Sequence, residues 1–92
     1  MKYSIEVTSR FKRDYKKVKK RGCDMELLKN IVIALANGEK LPNENRDHEL
    51  KGDHRGYREC HIQPDWLLIY KFEDDILILT LSETGTHSDL FK

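Results

Sequence analysis

Long apolar runs are missing from this 92-residue chain: Trp66–Tyr70 and Ile76–Leu79 are far too short to span a bilayer. No membrane association is therefore expected. A secretory leader is not expected either, since Lys2 is followed by alternating residues and not by an apolar block. Cysteine is scarce, and Cys23 and Cys60 have no metal-type spacing, which fits a reducing cytoplasm where each is simply a thiol. No two of the four histidines stand at a local ligand spacing such as H-x-x-x-H, so neither a metal nor any other cofactor is expected. Internal repeats and low-complexity stretches are absent too. A chain this short fills one modest core, so one domain is expected over residues 1–92.

Acid is what the first quarter of the chain lacks. Residues 1–21 hold nine Lys or Arg against Glu6 and Asp14, a local charge of +7, while the remainder carries −6. The net charge of +1 hides a polarised molecule, able to engage a polyanion with one face. Eight of the twelve residues from Arg10 to Arg21 are basic, and like charges at i, i+4 destabilise an isolated helix. A compensating partner is expected, and phosphate is the simplest one. Arg10, Lys12, Arg13, Lys16, Lys17, Lys19 and Lys20 are accordingly expected to contact nucleic acid.

Periodicity places the elements. Lys2–Val7 alternates and reads as a strand with Tyr3, Ile5 and Val7 on one face. Thr8 or Ser9 can cap a helix from Arg10 to Arg21, whose apolar stripe is Phe11, Tyr15 and Val18, and Gly22 ends it. Asp24 caps a second helix, Met25 to about Ala36, with Leu28, Ile31, Val32 and Leu35 inward and Asn37-Gly38 as the stop. Residues 39–47 read as a surface loop. Three strands follow, Tyr57–Gln63, Trp66–Phe72 and Ile76–Glu83, in an antiparallel meander. Trp66–Tyr70 is apolar on both faces and should be the central strand, and Leu77, Leu79 and Leu81 should meet the helices. The order β-α-α-β-β-β predicts an α+β fold, with the N-terminal strand and a helical hairpin on one face of a small, mainly antiparallel sheet.

Strand alternation sorts the chemistry. Arg58, Cys60 and Ile62 point one way and Glu59 and His61 the other. Cys60 therefore packs as a small hydrophobe and cannot pair with His61 as a nucleophile. His48 precedes this strand, Asp65 lies in the turn after it, and His87 lies beyond the third strand. Together with Glu59 and His61 they can meet on the face that the helices leave free, where imidazoles and carboxylates suit acid–base work near neutral pH. His54 is assigned to solvent.

The segments DHEL-x-G, GYRECHIQPDWLLIYK and TGTHSDLF resemble the YafQ branch of the RelE/ParE superfamily of bacterial toxins, across essentially the whole chain. The resemblance implies a RelE-like fold and a ribosome-dependent mRNA endonuclease that uses metal-free histidine acid–base catalysis and is silenced by a cognate antitoxin.

 It also implies roles: His87 as general acid to the leaving oxygen, His48 and His61 as base and charge stabilisers, and Asp65 assisting. Phe91, one helical turn after His87, would stack on a base. The free toxin would be a monomer, with mRNA and ribosomal RNA as its other partners. Two positions depart from the pattern. Glu59 stands where the branch usually has Asp, and Glu83 where many relatives have Arg, so Arg58 or Lys51 would have to contact the scissile phosphate. The alternative is a non-catalytic binder on the same fold, either directed at gyrase as in the ParE branch or a decayed toxin that still binds its antitoxin.

Overall fold

A computed structural model describes residues 1–91. Its elements are β1 (Ser4–Val7), α1 (Ser9–Lys20), α2 (Met25–Ala36), β2 (His48–Glu49), β3 (Arg58–Gln63), β4 (Trp66–Glu73), β5 (Ile78–Gly85) and α3 (His87–Leu90). Single 3-10 turns at Asn43–Asn45 and Gly52–His54 punctuate the loops on either side of β2. The strands form one sheet in the order β1-β5-β4-β3-β2, with β1 parallel to β5 and the other neighbours antiparallel. The α+β class and the mainly antiparallel sheet are as expected. Among the described residues no helix is long and apolar enough to cross a membrane.

The local reasons match the sequence. The Thr8 hydroxyl accepts from the Phe11 amide at 2.9 Å, and the Asp24 carboxylate accepts from the Glu26 amide at 3.1 Å, each satisfying an orphan donor of a first turn. Gly22, at φ +89°, takes the left-handed position that closes α1. Phe11 and Val18 of α1 and Leu28, Leu35 and Ala36 of α2 pack with Cys60, Ile62, Leu68, Tyr70, Leu79 and Leu81 on one face of the sheet. Leu67, Leu68, Ile69 and Tyr70 have no solvent exposure, as the central position of β4 requires.

Several expectations need correction. His48–Glu49 is a short strand, which extends the sheet by one member beyond the meander. Ile5 and Val7 are each 39% exposed, because they line an open cleft beside α1 while only Tyr3 reaches the core. Tyr15 is also partly exposed, and the acid Asp14 is buried in its stead. Leu77 is no strand residue: it lies in the turn at φ +52°, and β5 starts at Ile78.

The largest departure is a bulge in β5. Tyr70 pairs with Leu81 but Ile69 pairs with Glu83, so Ser82 is an extra residue. It reverses the alternation: Glu83 falls on the face opposite Leu79 and Leu81. Beyond the end of β1, the edge of β5 is held by α1, with Thr8 Oγ1 donating to the Ser82 carbonyl at 2.7 Å and the Thr84 amide donating to Asp14 Oδ2 at 3.1 Å. Removing Asp14 leaves a buried N–H without an acceptor. Asp14→Ala is expected to cost about 1–3 kcal/mol in urea unfolding, and an unchanged midpoint would show that water replaces the carboxylate.

Candidate active site

Cross-strand pairing assembles one cluster on the face of the sheet away from α1 and α2. His48 stands opposite Glu59, Glu59 opposite Ile69, and His61 opposite Leu67. Arg46 adopts the left-handed conformation at φ +48°, and its carbonyl lies 2.7 Å from His48 Nδ1. A carbonyl can only accept, so Nδ1 carries the proton and Nε2 faces inward. His61 is fixed in the same sense, with Nδ1 donating to the Pro64 carbonyl at 3.2 Å. Both Nε2 atoms then lie 3.6 Å from Glu59 Oε1. Glu59 is only 5% exposed, so its charge is felt by both rings with little screening.

His87 arrives from the other end of the sheet. The Thr86 hydroxyl accepts from the Asp89 amide, and the Asp89 carboxylate accepts from the Thr86 amide, a capping box that starts α3. The His87 amide and Nδ1 both donate to Asp65 Oδ1, at 3.2 and 3.0 Å, leaving Nε2 for chemistry. Its ring centroid lies 5.7 Å from that of His61 and 6.4 Å from that of Phe91. The hydrogen bond from the His87 ring, and next the one from its amide, hold the Asp65 carboxyl below its ordinary range.

His48, Glu59, His61, Asp65, His87 and Phe91 are thus brought together. Two expected phosphate ligands are not part of the cluster. Arg58 lies on the helix side of the sheet, where its guanidinium is paired with Asp47 at 3.2 Å and Glu49 at 3.6 Å. Asp47 also accepts from the Tyr70 hydroxyl. This clamp fixes the residue before His48 and commits Arg58 to structure. Lys51 is exposed, and its side chain makes no ion pair or hydrogen bond among the described residues. Burial pushes the Cys60 thiol up to about 12, which suits the packing role expected of it.

The basic helix is partly self-compensated. Arg10 pairs with Asp14 and Glu83, and Lys17 with Asp89, so neither is a free phosphate ligand in this structure. Lys12, Arg13, Lys16, Lys19 and Lys20 form no ion pair among the described residues and are exposed. His54, assigned to solvent above, is half-buried with its ring 5.4 Å from Phe91 in an edge-on contact. It stands in an aperiodic loop, where sequence offers no signal of what a side chain will meet.

Glu59, His61 and His87 each offer a ligand atom within 4.8 Å of the other two, a set able to hold a divalent cation. Local spacing could not reveal it, since the three residues come from β3 and α3. The orientation of His87 by Asp65 is directly testable. Because the folded carboxyl is depressed, the contact is present at neutral pH and is lost as pH falls through that lowered value. A carboxyl-detected NMR titration should place the Asp65 midpoint below the reference of 3.8, and Asp65→Asn should move the His87 ring signals. A midpoint at or above the reference would mean that the pair is open in solution.

Comparison with known proteins identifies the family and the fold. The model for the bacterial toxin of type II toxin–antitoxin systems, YafQ, matches residues 3–92. The mRNA interferase toxin YafQ of Escherichia coli K12 is 42% identical over 88 residues, covering 95% of this chain and 94% of the relative. The putative toxin YafQ of Haemophilus influenzae is 34% identical, covering 91% and 87%. Among solved structures, YafQ in the E. coli DinJ–YafQ complex superimposes with a TM-score of 0.90 at 41% identity, covering 98% and 99% of the two chains. A metal-bound toxin from Helicobacter pylori gives 0.91 at 39% identity, covering 97% and 99%. The chain belongs to the YafQ family of type II toxin–antitoxin toxins.

Proposed function

We propose that this protein is an mRNA interferase, an endoribonuclease that cuts ribosome-engaged mRNA by imidazole acid–base chemistry and is silenced by a cognate antitoxin. Family membership supports the reaction class, and the E. coli relative solved with DinJ supports the antitoxin. The observation that carries the chemistry is the pair of imidazoles, His61 and His87, 5.7 Å apart and each oriented through Nδ1. Such a pair can bracket a phosphodiester whose attacking and leaving oxygens are in line.

Cleavage requires a proton to leave the 2′-hydroxyl and another to reach the 5′-oxygen. His61 Nε2 takes the first, and the positive charge this creates lies 3.6 Å from Glu59. His87 gives the second from Nε2, while Asp65 holds its other nitrogen. His48, as imidazolium, stabilises the charge on the phosphorane oxygens. Phe91 offers a ring beside His87 on which a base can stack. Lys12, Arg13, Lys16, Lys19 and Lys20 supply the phosphate contacts that hold the toxin on ribosomal RNA. This scheme needs no metal, so a cation bound by Glu59, His61 and His87 would occupy the nitrogens that move protons.

Primer extension on a defined mRNA in a reconstituted translation system tests the reading. Wild-type protein should give cuts that require ribosomes and survive EDTA, leaving 2′,3′-cyclic phosphate and 5′-hydroxyl ends. His87→Ala should reduce the rate by roughly 100-fold or more. Undiminished cutting by His87→Ala would remove the assigned acid. An absence of cuts from folded wild-type protein would favour the binder.

A further inference from the structure

α3 is one turn long, and the core cluster contains no residue beyond Leu81. A single turn does not hold itself in water. The His87–Asp65 pair is more than half exposed on both sides, which makes it a weak anchor alone. Something else must fix the imidazole.

Asp89 is placed to do so. Its two carboxylate oxygens receive the Arg21 guanidinium in a bidentate pair, Nη1 to Oδ2 at 2.6 Å and Nη2 to Oδ1 at 3.1 Å. Lys17 Nζ lies 3.9 Å from Oδ1, and Arg10 Nη2 donates to the Asp89 carbonyl at 3.5 Å. Oδ2 also accepts from the Thr86 amide at 2.9 Å, one residue before His87. Arg21, first among these partners, holds the Asp89 carboxyl far below its usual range. Gly85 completes the seat: a Cβ there would stand 2.8 Å from Asp89 Oδ2 and 3.0 Å from Asp89 Cβ.

We infer that Arg21 and Asp89 are positioning residues for His87, a clasp between the end of α1 and the single turn of α3 that sets the imidazole against Asp65 and His61. The role in cleavage rests on the mRNA interferase reading above, whereas the clasp itself does not. Part of the basic helix thereby serves the catalytic turn and not the RNA.

Asp89→Asn keeps an oxygen for the Thr86 amide and removes the charge that Arg21 needs; Arg21→Gln removes the other partner. Each should lower kcat by about 10- to 100-fold with KM unchanged. The double variant should lose no more than either single, because one interaction is removed once. Arg21→Lys, which keeps charge without the bidentate fork, should fall between. Melting curves should match wild type. In NMR spectra the His87 ring signals should shift or broaden in Asp89→Asn while those of His48 stay in place.

Wild-type kcat together with unmoved His87 signals in Asp89→Asn would overturn the clasp. So would additive losses, or a rise in KM confined to Arg21→Gln, which would mark Arg21 as an RNA contact. A wild-type protein that cuts no RNA would overturn the interferase reading, and the His87 signals would still decide the clasp.

Discussion

Past Leu81 the edge of β5 is bonded to side chains of a helix, not to another strand. Thr8 and Asp14 take the Ser82 carbonyl and the Thr84 amide where β1 has ended. That substitution lets β5 carry a bulge, since a helix edge imposes no ladder register. The bulge turns Glu83 to the open face and Thr84 to the core side, where its hydroxyl joins the Trp66 indole to the Leu67 carbonyl. Gly85 still pairs with Leu67, and beyond it the Thr86 cap and His87 leave the sheet on the side where Glu59 and His61 lie. Without the extra residue the alternation of Leu79 and Leu81 would have continued into Glu83.

The sheet separates two kinds of polar chemistry. On the helix side, Arg58, Tyr70 and Asp47 neutralise one another around the start of β2. Desolvation and the adjacent Asp47 raise the Tyr70 phenol above its ordinary value, so it stays a donor at any physiological pH. On the open side, Glu59 faces two imidazoles whose other nitrogens are already committed to backbone carbonyls. The first group fixes backbone and the second leaves nitrogens available. His48 shows the link, because Asp47, one residue earlier, is held from the opposite face.

The charge of α1 is likewise divided. One set of its cations turns inward to acids of the same chain: Arg10 to Asp14 and Glu83, Lys17 and Arg21 to Asp89. These contacts relieve part of the like-charge repulsion that the run of basic residues creates. The rest, Lys12, Arg13, Lys16, Lys19 and Lys20, remain exposed and give the positive surface that a polyanion would meet. Glu83, at the end of β5, pairs with Arg10 and ties α1 to that strand.

Much of this was legible in the chain itself. Local capping at Thr8 and Asp24, the 3.6-residue stripe of α2 and the doubly apolar β4 depend on neighbours in sequence, so periodicity finds them. The same alternation placed Cys60 inward and Glu59 and His61 outward, and the motif segments pointed to His48, Asp65, His87 and Phe91. Other features depend on partners far along the chain. The two-residue β2, the bulge at Ser82 and the turn at Leu77 are set by pairing, which leaves no local signature. Assigning Arg58 to phosphate ignored its own place on the helix face. Asp89, His54 and the ligand set of Glu59, His61 and His87 acquire meaning only when loop, sheet and last turn meet. Sequence determined which residues could do the chemistry and on which face of their strands they lie; tertiary structure decided which nitrogens are free to do it, because that depends on what each ring already holds.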